Sequence, residues 1–368
     1  MNTKNKETRR FEVLDSFRGL AAIVVAIFHY TSQKGLIGTN VFIANGHRFV
    51  DFFFVLSGFI IYLNYDNIVT FSEQKTFMYK RIWRLYPLHI FVLILFFLFE
   101  LLKAILFTYG YFNKPAFSTN SLQSLIPNLL LLQGIVDSPE DFTWNYPSWS
   151  ISVEMINYLI FVTVIPLIGK IDKSIRPYIL LLISFLSLAL LSLEIKPFEL
   201  VVKCSYGFFL GCFVLHLYKT RFALLLVTNQ TANIVEVVFI IVICLTVCYL
   251  PESLSSSLSI IYGLVILVFA FEKGFLSKLL KNKIFLLFGS LSYSIYMTHA
   301  LIANVLKVIF INILKFDNRN FDFTIIPFII IVISISYLTY HYIELRALKF
   351  RKKLSMHHSE KKGLESFP

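Results

Sequence analysis

The chain has 368 residues, of which 57% are hydrophobic, 17% aromatic and only 15% charged, against roughly a quarter charged in soluble domains. With a mean hydropathy of +0.72, this excludes an ordinary soluble enzyme. It predicts an all-α, polytopic membrane helical bundle, since helices satisfy their own backbone groups within lipid.

About ten transmembrane helices are expected, near 13–32, 46–64, 86–108, 148–168, 176–194, 200–218, 233–250, 256–271, 290–312 and 322–345. The segment 120–136 is shorter and holds Pro127, so it reads as re-entrant or interfacial. The polar start MNTKNKETRR runs into the first span without a small-residue cleavage site, which predicts a retained anchor. Most of the 34 Lys and Arg fall in segments that are cytoplasmic when both termini are. The outside segments hold only Lys34, Arg48, Lys114, Lys196, Lys203, Lys315 and Arg319, and Arg18, Lys103 and Lys307 lie within spans. This bias orients the bundle with both ends inside. It also accounts for most of the net charge of +12, so no nucleic-acid partner is implied. One domain is expected over 1–368: a cytoplasmic N-terminus (1–12), the bundle (13–345) and a basic, partly disordered tail (346–368) that meets membrane lipids. No appended extracytoplasmic domain is expected. Cys204, Cys212, Cys244 and Cys248 lie in apolar runs without metal-ligand spacing. They read as small buried residues, and no metal centre is expected.

Ionisable groups inside spans are costly and mark function. The first span, LDSFRGLAAIVVAIFHY, carries Asp15, Arg18 and His29. Asp15 and Arg18 are three apart and share a face. Arg18 and His29 are eleven apart, which returns to the same face about 16 Å further along the axis. Asp51 opens the second span from the outer side, and Ser57-Gly58 in its middle permits close approach of a chain or ligand. Arg81 and Arg84, in YKRIWRLYPLH, form one basic face suited to phosphate. The fourth span opens with Trp149 and Ser150 and carries Glu154 in its outer half, where it is expected to orient His29 and raise its basicity. The ninth span, GSLSYSIYMTHA, is polar enough to line a cavity, with Ser292, Tyr293, Tyr296 and His299. His341 and Glu344, near the end of the last span, are assigned structural roles.

In order, LDSFRGLAAIVVAIFHY, VDFFFVLSGFII, YKRIWRLYPLH, SWSISVEMINYLI, YGFFLGCFVL, GSLSYSIYMTHA and YLTYHYIEL resemble the acyltransferase 3 family of membrane O-acyltransferases. The likeness runs from residue 14 to 345. The family commonly ends its last span on Arg-Pro after the Glu, whereas Leu345-Arg346 follow Glu344 here. The resemblance implies transfer of an acyl group, acetyl in the first instance, from acyl-CoA to a hydroxyl of a surface polysaccharide or lipid-linked glycan. It implies a multi-pass protein of the bacterial cytoplasmic membrane, with acetyl-CoA as co-substrate and no tightly bound cofactor. His29 looks like the family's essential histidine, as general base or acyl carrier, with Glu154, Arg18 and Asp15 in its support. Arg81 and Arg84 look like the paired arginines that meet the CoA phosphates, beside the Ser57-Gly58 element. Asp51, Trp149, Ser150, Tyr293, Tyr296 and His299 are expected to bind substrate. No Ser or Cys stands in a nucleophile-elbow setting. The alternative function is a transporter or flippase for a lipid-linked glycan.

Overall fold

The computed structural model describes residues 10–31, 35, 37–136, 142–193, 198–220, 228, 230–316 and 323–364, with side chains to 354. Of the expected charge pattern, Lys4, Lys6, Arg9, Lys34, Lys196, Arg221 and Arg319 lie outside the described residues. So do the side chains of the tail beyond Leu354. No strand occurs among the described residues. The principal helices are α1 (Glu12–Tyr30), α2 (Phe49–Tyr65), α3 (Phe71–Thr108), α4 (Trp149–Ile168) and α5 (Arg176–Leu191), followed by α6 (Glu199–Lys219), α7 (Ala232–Tyr249), α8 (Leu258–Phe269), α9 (Lys283–Lys307) and α10 (Ile325–Thr339). Single π-helical turns extend α9 (Val308–Ile313) and α10 (Tyr340–Glu344), and the latter leads into α11 (Leu345–Leu364).

Nine helical stretches among the described residues are long and apolar enough to cross a membrane. The expected fifth span, α5, has 16 residues, about 24 Å of helix against a hydrocarbon core of about 30 Å. It is therefore a shorter apolar helix beside nine full-length ones. The segment 120–136 forms two short helices, Leu122–Leu129 and Gln133–Val136. The tail, expected to be partly disordered, is helical as far as Leu364.

The third span departs most from expectation. α3 is 38 residues long and starts at Phe71, where a cytoplasmic loop was expected. Thr70 and Glu73 form a capping box: the Thr70 Oγ1 accepts from the Glu73 amide at 3.3 Å, and the Glu73 carboxylate accepts from the Thr70 amide at 2.9 Å. The box satisfies two amides that a helix start otherwise leaves unpaired. Pro87 sits inside this helix without ending it. Ile94, Leu98, Leu101 and Ile105 are exposed on α3. Their three- and four-residue spacing makes one apolar stripe, an outward face suited to lipid.

α1 packs most extensively on α9, and two glycines set the distance. A Cβ on Gly19 would lie 2.4 Å from the Phe288 carbonyl carbon, and one on Gly289 2.5 Å from the Asp15 oxygen. Small residues at such crossings let backbones touch. This contact brings the polar residues of α1 onto those of α9. The α2–α6 crossing is built alike, with Gly58 against the Phe208 carbonyl and Gly211 against that of Val55.

Candidate active site

An inner cavity of about 170 Å³ opens between α1, α2, α3, α4 and α9. Three arginines line it: Arg18, Arg81 and Arg84. Arg18 donates from Nε to the Ser292 hydroxyl at 2.8 Å and from Nη2 to the Gly289 carbonyl at 3.0 Å. Asp15 lies 3.3 Å from the same guanidinium and also holds Arg10 at 2.7 Å. The helical i, i+3 spacing of Asp15 and Arg18 thus yields a contact. Arg84 is paired with the buried Glu344 at 2.6 Å, and Ser294 donates to the second Glu344 oxygen. Arg81 differs. Among the described residues it makes no ion pair with a carboxylate. It lies 5.5 Å from the rings of Tyr65 and Phe77 and 5.9 Å from that of Tyr158, and its buried Nε has no partner. Apart from a long hydrogen bond from Nη2 to the Tyr65 hydroxyl at 3.5 Å, its planar fork remains available to an anion.

Ser57, Glu154, Ser150, Tyr293 and Tyr296 also line this cavity. Tyr158 donates to the Glu154 carboxylate at 2.6 Å and lies 3.1 Å from the Ser57 hydroxyl. Tyr293 donates to the Leu85 carbonyl at 2.5 Å. The Tyr296 hydroxyl sits 2.8 Å from Ser150 Oγ and 3.0 Å from the Pro147 carbonyl.

Beyond Tyr296, one turn along α9, stands His299. Its Nε2 is 2.9 Å from Nδ1 of His29, and the two rings are nearly parallel. The expected Glu154–His29 contact is not among the hydrogen bonds of the described residues. Glu154 faces the arginines and Tyr158, and His29 takes its partner from α9. The cause is the Gly19/Gly289 contact, which lays α1 along α9 and leaves α4 facing the inner cavity.

A second, outer cavity of about 520 Å³ reaches His29 through two of its lining residues. Tyr146, whose ring centroid is 5.0 Å from that of His29, lines it, as does Lys307, which donates to the His29 carbonyl at 3.1 Å. Lys103 and Asn120 also line it, both held by the buried Glu100. Position along α9 gives the order: Ser292 to Tyr296 at the inner cavity, then His299, then Asn304 to Val308 at the outer one.

Six sequence candidates are not among the residues lining the two cavities: Asp15, His29 and His299, described above, and Asp51, Gly58 and Trp149. Asp51 is buried and paired with Lys203 at 3.3 Å. Trp149 stacks on Phe142 with ring centroids 5.8 Å apart. Gly58 contacts the α6 backbone, so its missing side chain serves a helix crossing and not a ligand. Four residues at the site escaped the sequence reading in this role. Tyr158 is four residues from Glu154, a spacing that places both on one helix face. Glu344 and Lys307 were visible as ionisable groups in spans. Tyr146 carried no local signal. Among the described residues no cluster of three or more His, Cys, Asp or Glu is placed to hold a metal ion.

A family model described as an acyltransferase domain matches residues 11–341. The chain belongs to the acyltransferase 3 family. A stretch of 160 residues, 41% of the chain, is 30% identical to the acyltransferase MdmB of Streptomyces mycarofaciens and spans 38% of that protein. No solved structure matches. A membrane acyltransferase needs a place for an acyl donor and a place for an acceptor. Among the described residues, the inner and outer cavities follow one another along α9, with His299 at an intermediate position on that helix.

Proposed function

We propose that the protein transfers an acyl group, acetyl in the first instance, from cytoplasmic acyl-CoA to a hydroxyl of a surface polysaccharide or lipid-linked glycan. The proposed setting is a bacterial cytoplasmic membrane. The observation that carries this reading is the sequence of sites along α9: an arginine-lined cavity, a histidine pair, and a second cavity.

The CoA phosphates bind Arg81 and Arg84 at the inner mouth. Guanidinium forks match phosphate oxygens, and Arg81 has no carboxylate to compete. Arg18, tied to Asp15, Ser292 and Gly289, adds positive charge along the path. The slim pantetheine arm passes Ser57, Glu154 and Tyr296 toward His29. The acceptor hydroxyl approaches through the outer cavity, past Tyr146. Its oxygen attacks the thioester carbonyl while His29 removes the hydroxyl proton. A C–O ester bond forms, the C–S bond breaks, and the proton passes to the departing CoA sulfur. Holding donor, base and acceptor in one line supplies much of the rate.

The test is acyl transfer in membranes carrying His29→Ala, with acetyl-CoA binding measured on the same protein. The expected result is transfer reduced by about 100-fold or more with binding retained. Wild-type transfer by correctly inserted His29→Ala protein refutes the assignment. A glycan transporter is separated by the binding step, because it has no use for acetyl-CoA.

A further inference from the structure

We propose that His299 is a positioning residue that fixes the tautomer of His29 and shares the proton His29 takes up. The inference rests on the reading of His29 as general base. It replaces Glu154 as the group that orients that base.

The argument is a count of protons along one chain of atoms. Nδ1 of His299 lies 3.1 Å from the carbonyl oxygen of Ile295, one turn earlier on α9. A carbonyl only accepts, so Nδ1 of His299 carries the hydrogen. A neutral imidazole has one N–H and one lone pair, so Nε2 of His299 is an acceptor. Its neighbour at 2.9 Å is Nδ1 of His29, which must then be the donor. The single proton of neutral His29 is thereby placed on Nδ1, and its Nε2 keeps the lone pair. The backbone of α9 thus dictates, through one buried ring, which nitrogen of His29 is basic.

The burial pattern divides the two roles. His299 is fully buried, whereas His29 is half-buried and edges against Tyr146 of the outer cavity. Both nitrogens of His299 are engaged, by the Ile295 carbonyl and by His29, so of the two rings it is His29 that keeps a nitrogen for a substrate. When Nε2 of His29 accepts the acceptor's proton, Nδ1–H points from a cation to a lone pair. That hydrogen bond becomes charge-assisted and shortens. His299 therefore stabilises the imidazolium without touching the reacting atoms. The arrangement follows the general behaviour of imidazole bases, in which the hydrogen-bond partner of one nitrogen sets the chemistry of the other. A neutral partner suits this depth, since a carboxylate there carries a desolvation cost.

Other titratable groups also face the His29 ring. Tyr146 approaches from the loop before α4, and Lys307 of α9 binds the His29 carbonyl. His47, from the turn before α2, lies on the far side of Phe28. None of these is hydrogen-bonded to a nitrogen of the His29 ring.

The experiment compares wild type, His299→Ala, His299→Gln and His29→Ala as full-length protein in native membranes and after purification. Glutamine keeps an acceptor oxygen near the place of the histidine Nε2, and alanine does not. Three quantities are read: acyl transfer, acetyl-CoA affinity, and the pH midpoint for modification of His29 by diethyl pyrocarbonate, resolved by peptide mass spectrometry. That reagent attacks an unprotonated imidazole nitrogen, so its midpoint reports His29 basicity without any turnover. For His299→Ala we expect transfer to fall by about 100-fold, affinity for acetyl-CoA to stay within about twofold, and the midpoint to move to lower pH. For His299→Gln we expect most of the transfer and most of the midpoint to return. An unshifted midpoint in His299→Ala overturns the inference, and so does wild-type transfer. Glutamine no better than alanine, in protein that still binds acetyl-CoA, also overturns it. Retained transfer in His29→Ala refutes the base assignment itself. In that case the midpoint still decides whether the two rings are coupled.

Discussion

At the scale of single residues, the arginines are not equivalent. Arg84 is neutralised by Glu344 and Arg18 by Asp15, whereas Arg81 rests among rings. Arg81→Ala is therefore expected to weaken acetyl-CoA binding by roughly tenfold to a hundredfold, the loss of one or two charge-assisted hydrogen bonds. Arg81→Lys should restore little, because an ammonium lacks the planar fork. Calorimetric titration of purified variants with acetyl-CoA checks both. Glu344→Ala should act differently. It leaves Arg84 unpaired beside the inner cavity, so thermal stability should fall while Arg84 is freed for phosphate. The sequence made Asp15, Arg18 and His29 legible because one helix carries them and its geometry is fixed by spacing alone. The partner of His29 was not legible. It depends on which faces α1, α4 and α9 turn to one another, which the spacing within any one helix does not give, and the expectation of Glu154 in that place was not met.

At the scale of elements, two pairs of backbone contacts position the site. A methyl group on Gly19 would collide with the Phe288 backbone, which cannot yield as a flexible side chain does. Gly19→Ala is expected to destabilise the protein by about 1–3 kcal/mol and to reduce transfer, since it parts His29 from His299. A thermal-shift assay paired with the transfer assay reads both effects. A change at the lipid-facing stripe, such as Leu98→Ala, should leave transfer unchanged. The start of α3 was legible after all. Thr70 and Glu73 satisfy the capping-box pattern, but Pro87 and the charged run before it suggested a boundary at 86. Thr70→Ala should cost about 1 kcal/mol. The lost cap loosens the turns that lead to Arg81 and Arg84. The fifth span was expected to 194, whereas α5 ends at Leu191, where Ser192 and Glu194 break the apolar run.

At the scale of the whole molecule, the account requires that the two cavities open to opposite sides of the membrane. The charge bias puts α3's first turns and the start of α9 inside. It puts Lys114, an exposed residue at the outer cavity, outside. A cysteine replacing Lys114 should react with a membrane-impermeant maleimide in intact cells. One replacing the exposed Lys283 should react only after permeabilisation. The helical class was legible because lipid leaves so few architectures open, whereas of the ten expected spans nine are long enough to cross among the described residues and α5 falls short. The outer cavity was not, because it is assembled from the end of α3, the loop before α4 and the end of α9. The central claim is that a donor bound at the inner arginines gives up its acyl group at His29. It is tested most directly by purified protein in liposomes supplied with radiolabelled acetyl-CoA and membrane-extracted glycan acceptor, wild type beside His29→Ala. The account predicts equal acetyl-CoA binding by both proteins and label in the glycan only with wild type. Label transferred at the wild-type rate by folded His29→Ala protein would contradict it.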